Sequence, residues 1–106
     1  KGVGMESELD GLLLNRTGAG MYTDPEGVLY RLVPVDRAYS GKKAPRYYLQ
    51  RLQEGRAQYI SGVFQTNKPG ILSLDVRDEL GVKIYFNLYV KGDGESLLIQ
   101  RRKSEK

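Results

Sequence analysis

The chain has no cysteine, no histidine and no tryptophan, and no uninterrupted apolar stretch long enough to span a bilayer. Each absence removes a class of function. Without cysteine there are no disulfides, no zinc–thiolate sites and no thiol nucleophile, and a reducing, cytoplasmic setting is expected. Without histidine the commonest general base and the commonest metal ligand are both gone, and a serine triad of the usual kind cannot be assembled. Walker-type and dinucleotide-binding glycine patterns are missing too; Gly18-Ala19-Gly20 is too short and does not lie between a strand and a helix. Carboxylates are the only acid–base groups left. Asp75, Asp78 and Glu79 cluster around one turn, where aspartate is an ordinary turn former. No nucleophile, base and oxyanion donor come together, so neither an enzyme nor a cofactor or metal site is expected. No membrane partner is expected either.

What the chain does have is glycine and tyrosine, thirteen and eight in 106 residues. Glycine supplies positive φ at tight corners and tyrosine favours strands, so the pair suits a β-rich fold. The length is that of one domain. Its net charge of +4 is uneven: residues 1–40 hold four basic and six acidic side chains, residues 41–106 thirteen and seven. A basic second part favours polyanionic partners, nucleic acid first.

Residues 1–4 precede Met5 and are expected to be an expression remnant. Residues 5–28 read as an irregular N-terminal segment. Its leucines, Leu9 and Leu12 to Leu14, are broken by Gly11, so one helical turn or a short strand is expected rather than a long helix. Asp24-Pro25-Glu26-Gly27 has the residue order of a type I turn. The β domain is expected over 29–102. Its strands fall at Val28 to Val35, where Pro34 indicates an edge or a strand end, at Arg46 to Leu52, Gln58 to Gln65, Ile71 to Arg77, Val82 to Val90 and Glu95 to Arg102. The turn at Asn67-Lys68-Pro69-Gly70 suits type II, and 36–45 reads as a loop. Links this short allow only antiparallel neighbours. The fold class is therefore all-β: an antiparallel meander of about six strands, either closed into a small barrel or curled into a partly open one under the N-terminal leucines. Residues 103–106 read as a frayed tail.

Residues 82–90 alternate strictly. Val82, Ile84, Phe86, Leu88 and Val90 make one face; Lys83, Tyr85, Asn87 and Tyr89 make the other. A two-residue Asp93-Gly94 loop sets Val90 opposite Leu97, Leu88 opposite Ile99, Phe86 opposite Arg101 and Tyr85 opposite Arg102. Slipping by one residue would bury only Leu98. The outer face then joins tyrosine to cations, the combination that holds single strands: rings stack on bases and cations follow phosphates. "KKAPRYYLQR" repeats the composition, with one of its two rings on each face of a strand. The candidate nucleic-acid contacts are Tyr47, Tyr85 and Tyr89 for stacking and Lys42, Lys43, Arg46, Lys83, Lys91 and Arg102 for phosphate. Cross-strand tyrosine pairs also stabilise a sheet with no ligand at all. The alternative is a protein-interaction module, an adaptor, inhibitor or homo-oligomer, using this face or an edge strand at 29–35 or 95–102.

"KAPRYYL" (43–49), "QYISGVFQ" (58–65) and "IYFNLYVKGDGESLLIQRR" (84–102) resemble a family of short uncharacterised proteins encoded on conjugative plasmids and integrative elements. That family has a Lys-Ala-Pro-Asp-aromatic stretch before a strand, an Ile-Tyr-Ala-Asn-Leu strand, an Asp-Gly turn and a final Ser-Leu-Ile strand with arginine. Here Ile84-Tyr85-Phe86-Asn87-Leu88, Ser96 to Ile99 and Arg101 are the matching points, within residues 43–102. Arg46 stands where the family has an acid, and the family's tryptophans have no counterpart. The resemblance implies no activity; it implies a setting in which single-stranded DNA is a common intermediate.

Overall fold

A computed structural model describes residues 5–36 and 43–103. The expected remnant at 1–4, most of the 36–45 loop, Lys42 within it, and 104–106 of the expected tail lie outside the described residues. One helical turn, α1 (Met5–Leu9), leads into eight strands: β1 (Leu12–Gly18), β2 (Met21–Thr23), β3 (Leu29–Pro34), β4 (Tyr47–Gln53), β5 (Arg56–Gln65), β6 (Ile71–Arg77), β7 (Lys83–Lys91) and β8 (Ser96–Arg101). Every neighbouring pair in this order is antiparallel, and β8 pairs with β1 through Leu12–Ile99, Leu13–Leu98 and Leu14–Leu97. The meander is thus a closed barrel.

Two expectations are corrected. Residues 5–28 are not irregular: they supply α1 and the two strands that close the barrel. Their pattern misleads because leucines occupy both faces of β1. Leu14 points inward and is fully buried, while Leu13 lies outside against Leu98 of β8. The strand count rises from six to eight accordingly. Second, the expected edges at 29–35 and 95–102 are largely taken up, since β3 pairs with β4 over Leu29–Pro34 and with β2 over Leu29–Arg31, and β8 pairs with β7 and, over Ser96–Ile99, with β1. Closure removes the row of unpaired backbone groups that strand addition requires.

The turns explain the corners. Gly11 holds a φ of +84°, ends α1 and donates its N–H to the Ile99 carbonyl at 2.7 Å. Asp24 closes the turn to Gly27, and its carboxylate also accepts the N–H groups of Glu26 and Val28. Asp93 and Gly94 both take positive φ, as a two-residue hairpin loop demands, and the β7–β8 register is the expected one. Phe86, Leu88, Leu97 and Ile99 are buried from these two strands, Leu74 and Val76 from β6.

One end of the barrel is plugged. Leu9 of α1 is fully buried in the core cluster. Above it Arg51, on the inward side of β4, binds the Glu8 carboxylate at 2.7 Å and the Gln58 amide at 2.9 Å. The opposite end carries the β1–β2, β5–β6 and β7–β8 turns and, among the described residues, is open. In the wall between, a bulge sets Leu49 opposite Ser61 but Gln50 opposite Tyr59, so Ile60 is the extra residue. Beside it Gly62 is buried under Phe64 and Pro45; a Cβ there would lie 3.0 Å from each.

Candidate nucleic-acid interface

Strand β7 sorts its side chains as its alternation implies. Ile84, Phe86 and Leu88 face the interior, and Lys83 and Tyr85 face solvent. The Tyr85 ring is 45% exposed. Arg102, directly opposite, places its guanidinium 5.1 Å from the ring centroid and donates from Nη2 to the Ser73 hydroxyl at 2.7 Å. Beside the same ring, Lys83 Nζ is 3.6 Å from the Asp75 carboxylate, and Asp75 is the cross-strand partner of Tyr85 on β6.

Around this ring opens a cleft of about 1270 Å³, between the β6–β7 turn and the end of β8. Lys83, Arg101, Arg102 and Lys103 supply four cations to it, and Asp10 and Asp78 two carboxylates. Both carboxylates hold backbone: Asp10 accepts the Arg101 N–H, and Asp78 those of Leu80 and Val82, each at 2.9 Å. Among the described residues, Arg101 and Lys103 have no ion-pair partner.

The remaining predicted site residues do not join this group. Tyr89 is only partly exposed, and its hydroxyl accepts from the Asn87 amide at 3.2 Å. Lys91 ends β7 eight residues beyond Lys83, roughly 26 Å away at the rise of a strand. Lys43 is exposed on the approach to β4, and Arg46 there is hydrogen-bonded to the Gln65 side chain. Lys42 is outside the described residues. The nine candidates therefore divide into a cluster of three, Lys83, Tyr85 and Arg102, at the plugged end, and the described others, Tyr89 among them, towards the open end.

Tyr47 is a correction. It pairs with fully buried Val63, packs partly buried against the core and lines a hollow at the open end instead of the outer wall. The outward ring is Tyr48, in edge-to-face contact with Tyr59 at 5.8 Å. The signal was the spacing: Tyr47 and Leu49 share a face, and Leu49 belongs inside. Tyr59, the most exposed tyrosine among the described residues at 60%, was missed because the bulge at Ile60 breaks the alternation of β5.

Tyr48 and Tyr59 on one side of β6, and Tyr85 on the other, extend the aromatic surface around the wall. Partial burial raises the Tyr59 phenol above the ordinary tyrosine value; Asp75 and Tyr48 raise it further, and a backbone hydrogen bond from Gly62 opposes them. Tyr59 thus remains protonated at neutral pH and adds no negative charge. Among the described residues no three acidic groups gather where they would hold a metal ion. No helix among them is long and apolar enough to cross a membrane. No family model matches the chain, nor does any curated protein or solved structure.

Proposed function

We propose that this protein is a non-catalytic accessory protein that binds single-stranded nucleic acid, on the cleft around Tyr85 and the wall beside it. The observation that carries the reading is an exposed ring with a guanidinium against one side and three further cations in the same cleft. Tyr85 stacks on a base, Arg102 bridges ring and phosphate, and Lys83, Arg101 and Lys103 follow the backbone; Tyr48 and Tyr59 lengthen the track. The absence of cysteine fits a cytoplasmic setting, and the resemblance of residues 43–102 to proteins of conjugative and integrative elements fits a single-stranded DNA ligand.

Anisotropy of a labelled oligonucleotide across a salt series tests this. Affinity falls with salt, and each phosphate contact contributes about 0.7 to the logarithmic slope on a single strand. Absence of binding at low salt, or binding indifferent to salt, rejects the reading.

A second reading is favoured by one feature. Leu80 is 88% exposed at the tip of the β6–β7 turn, beside half-exposed Val82, so an apolar knob adjoins the cleft. That suits a protein partner or a second copy of the chain. Size-exclusion mass separates the two: a dimer lost in Leu80→Ser favours the interaction module.

A further inference from the structure

The open end of the barrel holds a hollow the nucleic-acid reading does not use. Its volume is about 430 Å³, within the range of small-molecule sites. Eight-stranded barrels are just wide enough to keep such a space. Leu32, Leu72, Val90 and Leu97 make its apolar lining, with the rings of Tyr22 and Tyr47. The Tyr22 hydroxyl is committed to the Gly94 carbonyl at 2.8 Å, which ties the β7–β8 turn across the rim.

A second depression of about 560 Å³ adjoins it and shares Tyr47 and Leu72 with it. Arg46, Lys68, Gln65, Thr66 and Asn67 line it together with Tyr47, Pro69, Ile71 and Leu72, so it adds two cations to an otherwise mixed surface, and among the described residues no carboxylate lines either space. Glu95, whose charge acts on the Tyr22 phenol, is ion-paired to Arg16 at 2.9 Å. An apolar hollow that adjoins a shelf bearing Arg46 and Lys68 matches one ligand shape, an apolar body ending in an anion.

We propose that the open end of the barrel binds a medium-chain carboxylate, its hydrocarbon chain between Leu72, Val90 and Leu97 and its carboxylate against Arg46 and Lys68. The chain is held by burial and the head by charge-assisted hydrogen bonds. Binding involves no covalent step.

Backbone amide shifts of the folded protein, recorded while octanoate is added, test this. Gly20, Leu72 and Gly94 move, and the cleft around Tyr85 does not. Across hexanoate, octanoate and decanoate, affinity rises about fourfold per added methylene until the hollow is full. The Arg46→Gln, Lys68→Gln double variant changes only the polar shelf and lowers octanoate affinity at least about tenfold, while leaving n-octanol binding unchanged. Val90→Phe fills the hollow and abolishes both; its melting curve confirms that it folds. The proposal is overturned if no amide moves by about 1 mM octanoate. It is equally overturned if affinity ignores chain length, if the double variant binds octanoate as well as the parent, or if the shifts map to Tyr85 and Arg102.

Discussion

Arg102 lies over the ring of Tyr85, 5.1 Å from its centre, and is held there by the Ser73 hydroxyl at 2.7 Å. Two strands, β8 and β6, thus fix a cation on a ring carried by the strand between them. The guanidinium has five donors and spends one on Ser73, so others remain for a phosphate beside a tyrosine that is itself exposed.

Tyr85→Ala is expected to weaken oligonucleotide binding by about 1–3 kcal/mol, the worth of one stacked base, with little change in melting temperature. Tyr85→Phe keeps the stack and binds nearly as the parent. Tyr89→Ala behaves in the opposite sense, because that ring is partly buried and hydrogen-bonded to Asn87. Its loss lowers stability and leaves affinity almost unaltered. Anisotropy titrations paired with thermal melts separate the two; equal binding losses from both variants contradict the division of the nine candidates.

The β7–β8 hairpin was legible residue by residue because two constraints agree there. Alternation assigns the faces, and Asp93-Gly94 admits one register that buries both Leu97 and Ile99. At the N-terminus they do not agree. Leu12, Leu13 and Leu14 are equally apolar, yet only Leu14 is fully buried, since Leu13 meets a leucine on the outer wall. The site was legible only where it depended on that hairpin. Tyr85 and Arg102 followed from register, whereas Tyr59 is displaced by a bulge that composition does not announce. Linear charge asymmetry also dissolves in three dimensions: Lys83 and Lys91, close in sequence, end at opposite rims.

Ser61 is the one buried polar side chain among the described residues that burial singles out, and it holds the wall beside the bulge. Its hydroxyl accepts the Asp75 N–H at 3.0 Å and donates to the Gly62 carbonyl at 2.6 Å. Ser61→Ala leaves a backbone donor without its partner. The expected loss is about 1–3 kcal/mol, read as a fall of roughly 4–8 °C in Tm per kcal/mol. Because Asp75 also faces Lys83, the same variant loosens one side of the Tyr85 cleft.

Alkaline pH should destabilise the barrel. Burial raises the phenols of Tyr22 and Tyr30 above the ordinary value, opposed at Tyr22 by Arg16 and at Tyr30 by hydrogen bonding to Arg51. Tyr59 is raised as well. A raised phenol keeps its proton longer when folded than when unfolded. Its contribution is therefore complete below the unfolded value, about 10, and is lost as pH climbs through the folded one. Melting temperature is expected to be insensitive to tyrosine ionisation at neutral pH and to drop above about pH 10. Tyr30→Phe flattens that drop. A spectrophotometric titration in which all tyrosines ionise together without unfolding contradicts it.

Leu9 tests whether the N-terminal turn is part of the core or an attachment to it. The residue is fully buried, although its helix has a single turn and cannot persist by its own hydrogen bonds. What holds α1 is the leucine inside the barrel end, the Glu8–Arg51 ion pair at 2.7 Å, and Gly11 bonded to Ile99. Leu9→Ala removes the first and leaves a cavity, at an expected cost of about 2–5 kcal/mol. Glu8→Gln removes only the charge of a partly exposed pair and costs about 1 kcal/mol or less. Urea melts of the two variants rank the causes. A large loss from Leu9→Ala with an unchanged m-value means the plug unfolds together with the strands it seals. Oligonucleotide affinity stays at the parent value in Glu8→Gln, because Glu8 meets Arg51 at the barrel's inward plug and not the cations around Tyr85.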